Sequence, residues 1–312
     1  MTEKKKIKID LAEKLCREKK YREAIVLCEE IHKDYPEEES ALLMLSWAYY
    51  DSGEIEQAEK YLHILLNREL KRRVFTGFAF DELVRIYKQK KNFQKLTEIC
   101  ERAAAAQPED VGLLTELGNS YLKSGKPEKA CAVYEKLIKI ENDNPVFYCY
   151  WGEALFAAGL NKESEDAYLK AGEIDSEQPD RYFFKIAVLF QQSQNHKEAE
   201  RLLNKCIAAD SSHPLYYCSL GDSFIGLGQI QEALKAYEKA VQCDHSRAGA
   251  YYNRLGHSLM KAGNFSEAAK AFQSAVKVEP VRHYYLSLAS AYKEMGLNEQ
   301  AGLIIRELDK TK

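Results

Sequence analysis

Residues 111–144 read VGLLTELGNSYLKSGKPEKACAVYEKLIKIENDN. Leu114, Leu117, Gly118 and Tyr121 are spaced by three, one and three positions, which places them on one helical face. Gly125 interrupts the pattern. Ala130, Tyr134 and Leu137 then form a second apolar face, and Pro145 opens the next stretch. The segment predicts two amphipathic helices joined by a glycine turn, with apolar faces that cover one another.

Outward from this segment the same skeleton recurs with a period of about 34 residues. Towards the C-terminus it is Tyr148, Trp151, Gly152, Leu155, Tyr168 and Ala171; then Phe183, Ile186, Ala187, Phe190, Ala199 and Leu203. Next come Tyr217, Leu220, Gly221, Phe224, Ala233 and Tyr237, followed by Tyr252, Leu255, Gly256, Leu259, Ala268 and Phe272. The last copy has Tyr285, Leu288, Ala289, Tyr292, Ala301 and Ile305. Towards the N-terminus the copies diverge but stay in phase, through Phe80, Leu83 and Tyr87, through Leu42, Leu45 and Tyr49, and through Ala12, Leu15, Ala24 and Cys28. Units therefore start near residues 5, 39, 77, 111, 145, 180, 214, 249 and 282, and residues 1–312 read as a single array of nine hairpins.

The small residues have a steric role. Gly118, Gly152, Gly221 and Gly256 let the two helices of a hairpin approach closely, met by alanines such as Ala130, Ala233 and Ala268. Gly53, Gly125, Gly159, Gly228, Gly263 and Gly296 share the turn position, where a left-handed residue ends a helix. Units one and three carry Lys19 and Lys91 there instead. Pro36, Pro108, Pro145, Pro179, Pro214 and Pro280 mark the joints between units.

The order Trp/Tyr, Leu, Gly, Tyr, Ala, Phe/Tyr, Ala, Pro resembles the tetratricopeptide repeat family, across roughly residues 5–312. The resemblance implies an all-α fold: a right-handed superhelical solenoid of antiparallel helix pairs, with first helices lining a concave groove and second helices forming the outer wall. It also implies a non-enzymatic scaffold that binds a peptide or helix segment of a partner protein.

Composition agrees with a folded, soluble chain, with 46% apolar and 30% charged residues. Net charge is −3, without the basic excess of a nucleic-acid binder, so RNA binding is a disfavoured alternative. Eight cysteines are scattered without a Cys-x-x-Cys pair and read as reduced, buried residues. No apolar run reaches membrane-spanning length, and Met1–Lys8 is charged rather than leader-like, so the expectation is a cytoplasmic protein without membrane insertion.

No constellation predicts catalysis, a metal or a cofactor. Gly221-Asp222-Ser223-Phe224 is helix-packing sequence rather than a nucleophile elbow. The seven histidines include no pair four apart, and Cys243 with His245 supplies only two ligands. The stretch 68–73 is basic and falls where unit two has four extra residues; it reads as a longer solvated turn between units, with an acidic-partner contact as the alternative.

Under the family geometry, positions 2, 5, 9 and 12 of each unit face the groove. Candidate groove residues are Trp47, Tyr50, Asn119, Glu153, Phe156, Phe184, Val188, Asp222, Asn253 and His257. In the central units Val146, Cys149, Arg181, Gln191, Leu215, Cys218 and Ile225 join them, giving a mostly apolar floor with a few charges. Such a floor suits an amphipathic helix or an extended apolar segment. The same side chains also suit packing between neighbouring first helices. No run of units carries the lysine and asparagine set with which chaperone-binding members grip a terminal carboxylate. The final helix, with Ile304, Ile305 and Leu308, has no following helix to cover it, which makes self-association through the C-terminal helix the competing function.

Overall fold

The computed structural model describes residues 3–72 and 77–310. Chain contacts divide it into two compact bodies, residues 1–142 and 143–312. Eighteen α-helices and no strand occur among the described residues.

The first body holds four helix pairs: α1 (Glu3–Arg17) with α2 (Tyr21–Asp34), α3 (Glu39–Asp51) with α4 (Ile55–Arg72), α5 (Phe78–Gln89) with α6 (Phe93–Ala106), and α7 (Val111–Lys123) with α8 (Pro127–Ile140). The second holds five: α9 (Pro145–Ala157) with α10 (Asn161–Ile174), α11 (Asp180–Gln192) with α12 (His196–Ala209), α13 (Pro214–Gly226) with α14 (Ile230–Cys243), α15 (Ala248–Lys261) with α16 (Phe265–Val278), and α17 (Arg282–Glu294) with α18 (Asn298–Lys310). A short 3-10 helix, His245–Arg247, precedes α15. The first helix of every pair begins within two residues of the start read from the sequence. Within each body a second helix also packs on the first helix of the next pair, so each hairpin is covered by its neighbours.

All nine intrahairpin turns close in one way. In the fourth, Gly125 takes φ +68°, its N–H donates to Leu122 O at 3.1 Å, and Lys126 N–H donates to Tyr121 O at 2.9 Å. These bonds satisfy carbonyls that a helix end leaves open. Lys19 and Lys91 adopt the same left-handed geometry, as their positions predict. Gln194 does so too, at φ +63°, with Asn195 N–H on Phe190 O at 2.8 Å. Its hairpin carries no glycine to announce the turn.

Inside the hairpins, a Cβ added at Gly221 would stand 2.6 Å from the Tyr237 ring, and one at Gly152 2.7 Å from Tyr168. Tyr134, Tyr168, Tyr237 and Phe272 are thus fully buried because Gly118, Gly152, Gly221 and Gly256 face them across their hairpins. Six of the eight cysteines are buried; Cys16 is half-buried and Cys243 exposed, so the expectation of uniform burial fails at those two.

Two other expectations change. Residues 68–72 are not a turn: α4 continues through them for 18 residues. Arg68 donates to Pro36 O, and Arg72 pairs with Glu39, so these bases brace the preceding joint. Arg73 lies outside the described residues. On α18, Leu308 is buried and Ile304 packs against the core, whereas Leu303 is 58% exposed. The preceding helix α17 covers more of the C-terminal apolar face than the sequence reading allowed.

Candidate partner-binding face

In the second body the first helices α9, α11, α13, α15 and α17 carry the candidate residues. Contacts run α11 to α13, α13 to α15 and α15 to α17. Phe156 meets Phe190 edge-on with ring centroids 5.1 Å apart, and Phe184 lies 5.1 Å from Tyr216. Phe156, Phe184 and Val188 are half-buried. Val146, Leu215 and Leu286 remain 45%, 41% and 45% exposed on the same set of helices, at positions 2, 2 and 5 of their units. Cys149, Cys218 and Ile225, expected in the floor, are buried in the cores instead. Short side chains at position 5 let neighbouring first helices close over them.

The polar candidates divide. Asp222 is fully engaged: it accepts from Tyr237 Oη at 2.6 Å, from Ser258 Oγ at 2.6 Å, and from Arg254 Nη2 and Nε at 2.6 and 3.1 Å. It joins α13 to α14 and α15. Asn119 accepts from Tyr134 Oη at 3.0 Å and ties α7 to α8. His257 stands edge-on to Phe272 at 5.1 Å, and desolvation lowers its pKa. Asn253 is half-buried. Glu153 is exposed by area, but protein surrounds it closely enough that desolvation raises its pKa, opposed by the charge of Lys185. Solvent thus reaches this carboxyl although the protein crowds it.

In the first body Trp47 is 48% exposed and meets Phe78 edge-on at 5.5 Å. Tyr50 Oη donates to Gln89 and accepts from Arg85 Nη1 at 2.8 Å, with the guanidinium 4.3 Å from the ring centroid. Beside Trp47, between α1 and α3, is a cleft of about 570 Å³ that the sequence reading did not locate. Its α1 wall comes from Glu13 and Cys16, residues of the most divergent unit, where no periodic landmark pointed.

Among the described residues, no group of three His, Cys, Asp or Glu side chains is placed to hold a metal ion, and no helix is long and apolar enough to cross a membrane.

Helix pairs of about 34 residues, closed by a common turn and stacked pair on pair, define an α-helical repeat protein. Profiles of the tetratricopeptide repeat match residues 15–75, 118–159, 180–213, 215–244 and 249–280. The chain belongs to the tetratricopeptide repeat family. Among solved structures, a tetratricopeptide repeat protein from Parabacteroides merdae is 18% identical, covers 84% of this chain and 98% of its own, and gives a TM-score of 0.51. MamA, 21% identical over 56% of this chain and 94% of its own, gives 0.42. YrrB, described as a tetratricopeptide repeat protein with an unusual peptide-binding site, is 18% identical over 62% of this chain and 98% of its own, at 0.38. At such identities the likeness concerns the fold, and the Parabacteroides merdae protein carries it.

Proposed function

We propose that this chain is a non-enzymatic scaffold that holds a peptide or helical segment of a partner protein on the face of its first helices. The carrying observation is the placement of Val146, Leu215 and Leu286, large apolar side chains left exposed on first helices of the second body. Phe156 on α9, and Phe184 and Val188 on α11, are half-buried on the same layer of first helices. Exposed apolar side chains gathered on one structural layer are what an amphipathic partner covers. Glu153, reached by solvent on the same layer, supplies a charge that orients such a segment. The reading of residues 1–312 as one working array belongs to this proposal. So does a cytoplasmic setting, which eight free cysteines suit.

The test is a tagged pull-down from native lysate with the chain and its Phe184→Glu, Val188→Glu double variant, helicity being checked by circular dichroism. Partners recovered by the unaltered chain and lost from the folded double variant support the scaffold. Equal recovery by both rejects this face. Recovery of self-copies alone supports assembly through the C-terminal helix, where Leu303 is exposed.

A further inference from the structure

The cleft between α1 and α3 belongs to the first body and shares no residue with the Phe184–Val188 face. Its floor is apolar: Leu43 and Cys16 are half-buried, Met44 is buried, and Trp47 presents 48% of its surface. Its volume, about 570 Å³, falls within the ~300–1,000 Å³ usual for ligand-sized pockets.

The rim is acidic. Glu13 and Asp51 stand on the two helices that form the walls. Arg17, also in the lining, pairs with Glu13 at 3.1 Å, but its side chain is 79% exposed, so solvent screens much of that pairing. Asp51 has the Tyr21 hydroxyl as a partner. Burial, and next the charge of Asp51, raise the pKa of both the Cys16 thiol and the Tyr21 phenol. Two groups facing the cleft thus register the same negative field.

An apolar trough with a negative rim selects an occupant that is apolar and cationic at once. We propose that the α1–α3 cleft binds a short basic-apolar peptide segment of a partner, in which an apolar side chain seats on Leu43, Met44 and Trp47 and a neighbouring arginine or lysine faces Asp51 and Glu13. A guanidinium lying along Trp47 gains a cation–π contact as well.

The chain has two tryptophans, so Trp151→Phe leaves Trp47, inside the proposed site, as the only tryptophan, and excitation to the red of tyrosine absorption reads it alone. This variant is titrated with acetyl-Leu-Arg-Phe-Leu-Arg-amide and with its glutamate counterpart. The expected result is a saturable change in Trp47 emission with the basic peptide alone. Binding weakens as salt rises and falls roughly three- to fivefold in Asp51→Asn. Titration calorimetry on the unaltered chain gives the same comparison without relying on the tryptophan variant. No saturable response to the basic peptide up to millimolar concentration overturns the proposal. So does equal affinity for both peptides, or an affinity that Asp51→Asn leaves unchanged. Loss of function at Phe184 and Val188 does not alter these readings, so the two proposals fail separately.

Discussion

Glu153 carries its charge against the interest of the fold. Desolvation raises its folded pKa above the ordinary 4.5, so folding favours the protonated form. Its contribution to stability is therefore fully present below pH 4.5 and is lost as pH rises through the folded pKa; at neutral pH the ionised carboxyl opposes folding. Glu153→Gln is expected to raise the melting temperature at pH 7 and to leave it unchanged at pH 4 or below, as followed by circular dichroism. A lower melting temperature at pH 7 in the variant would mean that the carboxylate stabilises the fold after all. An acid that costs stability on an accessible wall fits a ligand-facing role. At this scale the sequence was legible wherever a residue type has one steric use. Glycine at Gly53 or Gly125 marks a left-handed turn because other residues incur roughly 1–2 kcal/mol there. Gln194 is not legible in this way, because it is left-handed with no glycine to mark it, although its turn makes the same pair of backbone bonds.

Between helices, Asp222 shows what periodicity leaves out. Its position in unit seven is a groove-facing one, which by itself predicts a ligand contact. In the structure its carboxylate binds Tyr237, Ser258 and Arg254, and Arg254 also reaches Ser219 Oγ at 3.2 Å. The partners lie 15 to 36 positions away, and their meeting depends on how α15 sits along α13, which a 34-residue repeat does not specify. Asp222→Ala is expected to destabilise the second body by about 1–3 kcal/mol in urea denaturation, chiefly because it leaves the buried Tyr237 hydroxyl without its acceptor, with a smaller share from stranding Arg254, whose side chain is 38% exposed and screened by solvent. Adding Arg254→Ala is expected to recover part of that loss, since the stranded charge is then gone. A cost below about 0.5 kcal/mol for Asp222→Ala would assign the carboxylate to ligand binding instead. Helix boundaries were legible from the apolar spacing, prolines and glycines. The extra turn of α4 was not, because Arg68 and Arg72 read as solvated charge until Pro36 O and Glu39 are seen beside them.

For the molecule as a whole, nine hairpins leave two kinds of surface. Second helices such as α12 present charged side chains that pair with one another, as Arg201 and Lys205 do with Glu165. First helices present Val146, Leu215 and Leu286 uncovered. Val278 on α16 and Leu303 on α18 are exposed as well, so the claim that a partner sits on the first-helix layer rests on Val146, Leu215 and Leu286 together with the half-buried Phe156, Phe184 and Val188 of that layer. The family could be read from the sequence because its signature repeats; the face could be read only in outline, since Cys149, Cys218 and Ile225 share its register and yet are buried. The most direct measurement places a photoreactive benzophenone side chain at Leu215, on α13, and in a second sample at the exposed Asn204, on α12. Both are irradiated in cells of the native source and compared for covalent adducts. The account predicts a discrete adduct to a partner protein from position 215 and none from position 204. Adducts from position 204 alone would place the binding surface on the outer layer and contradict it.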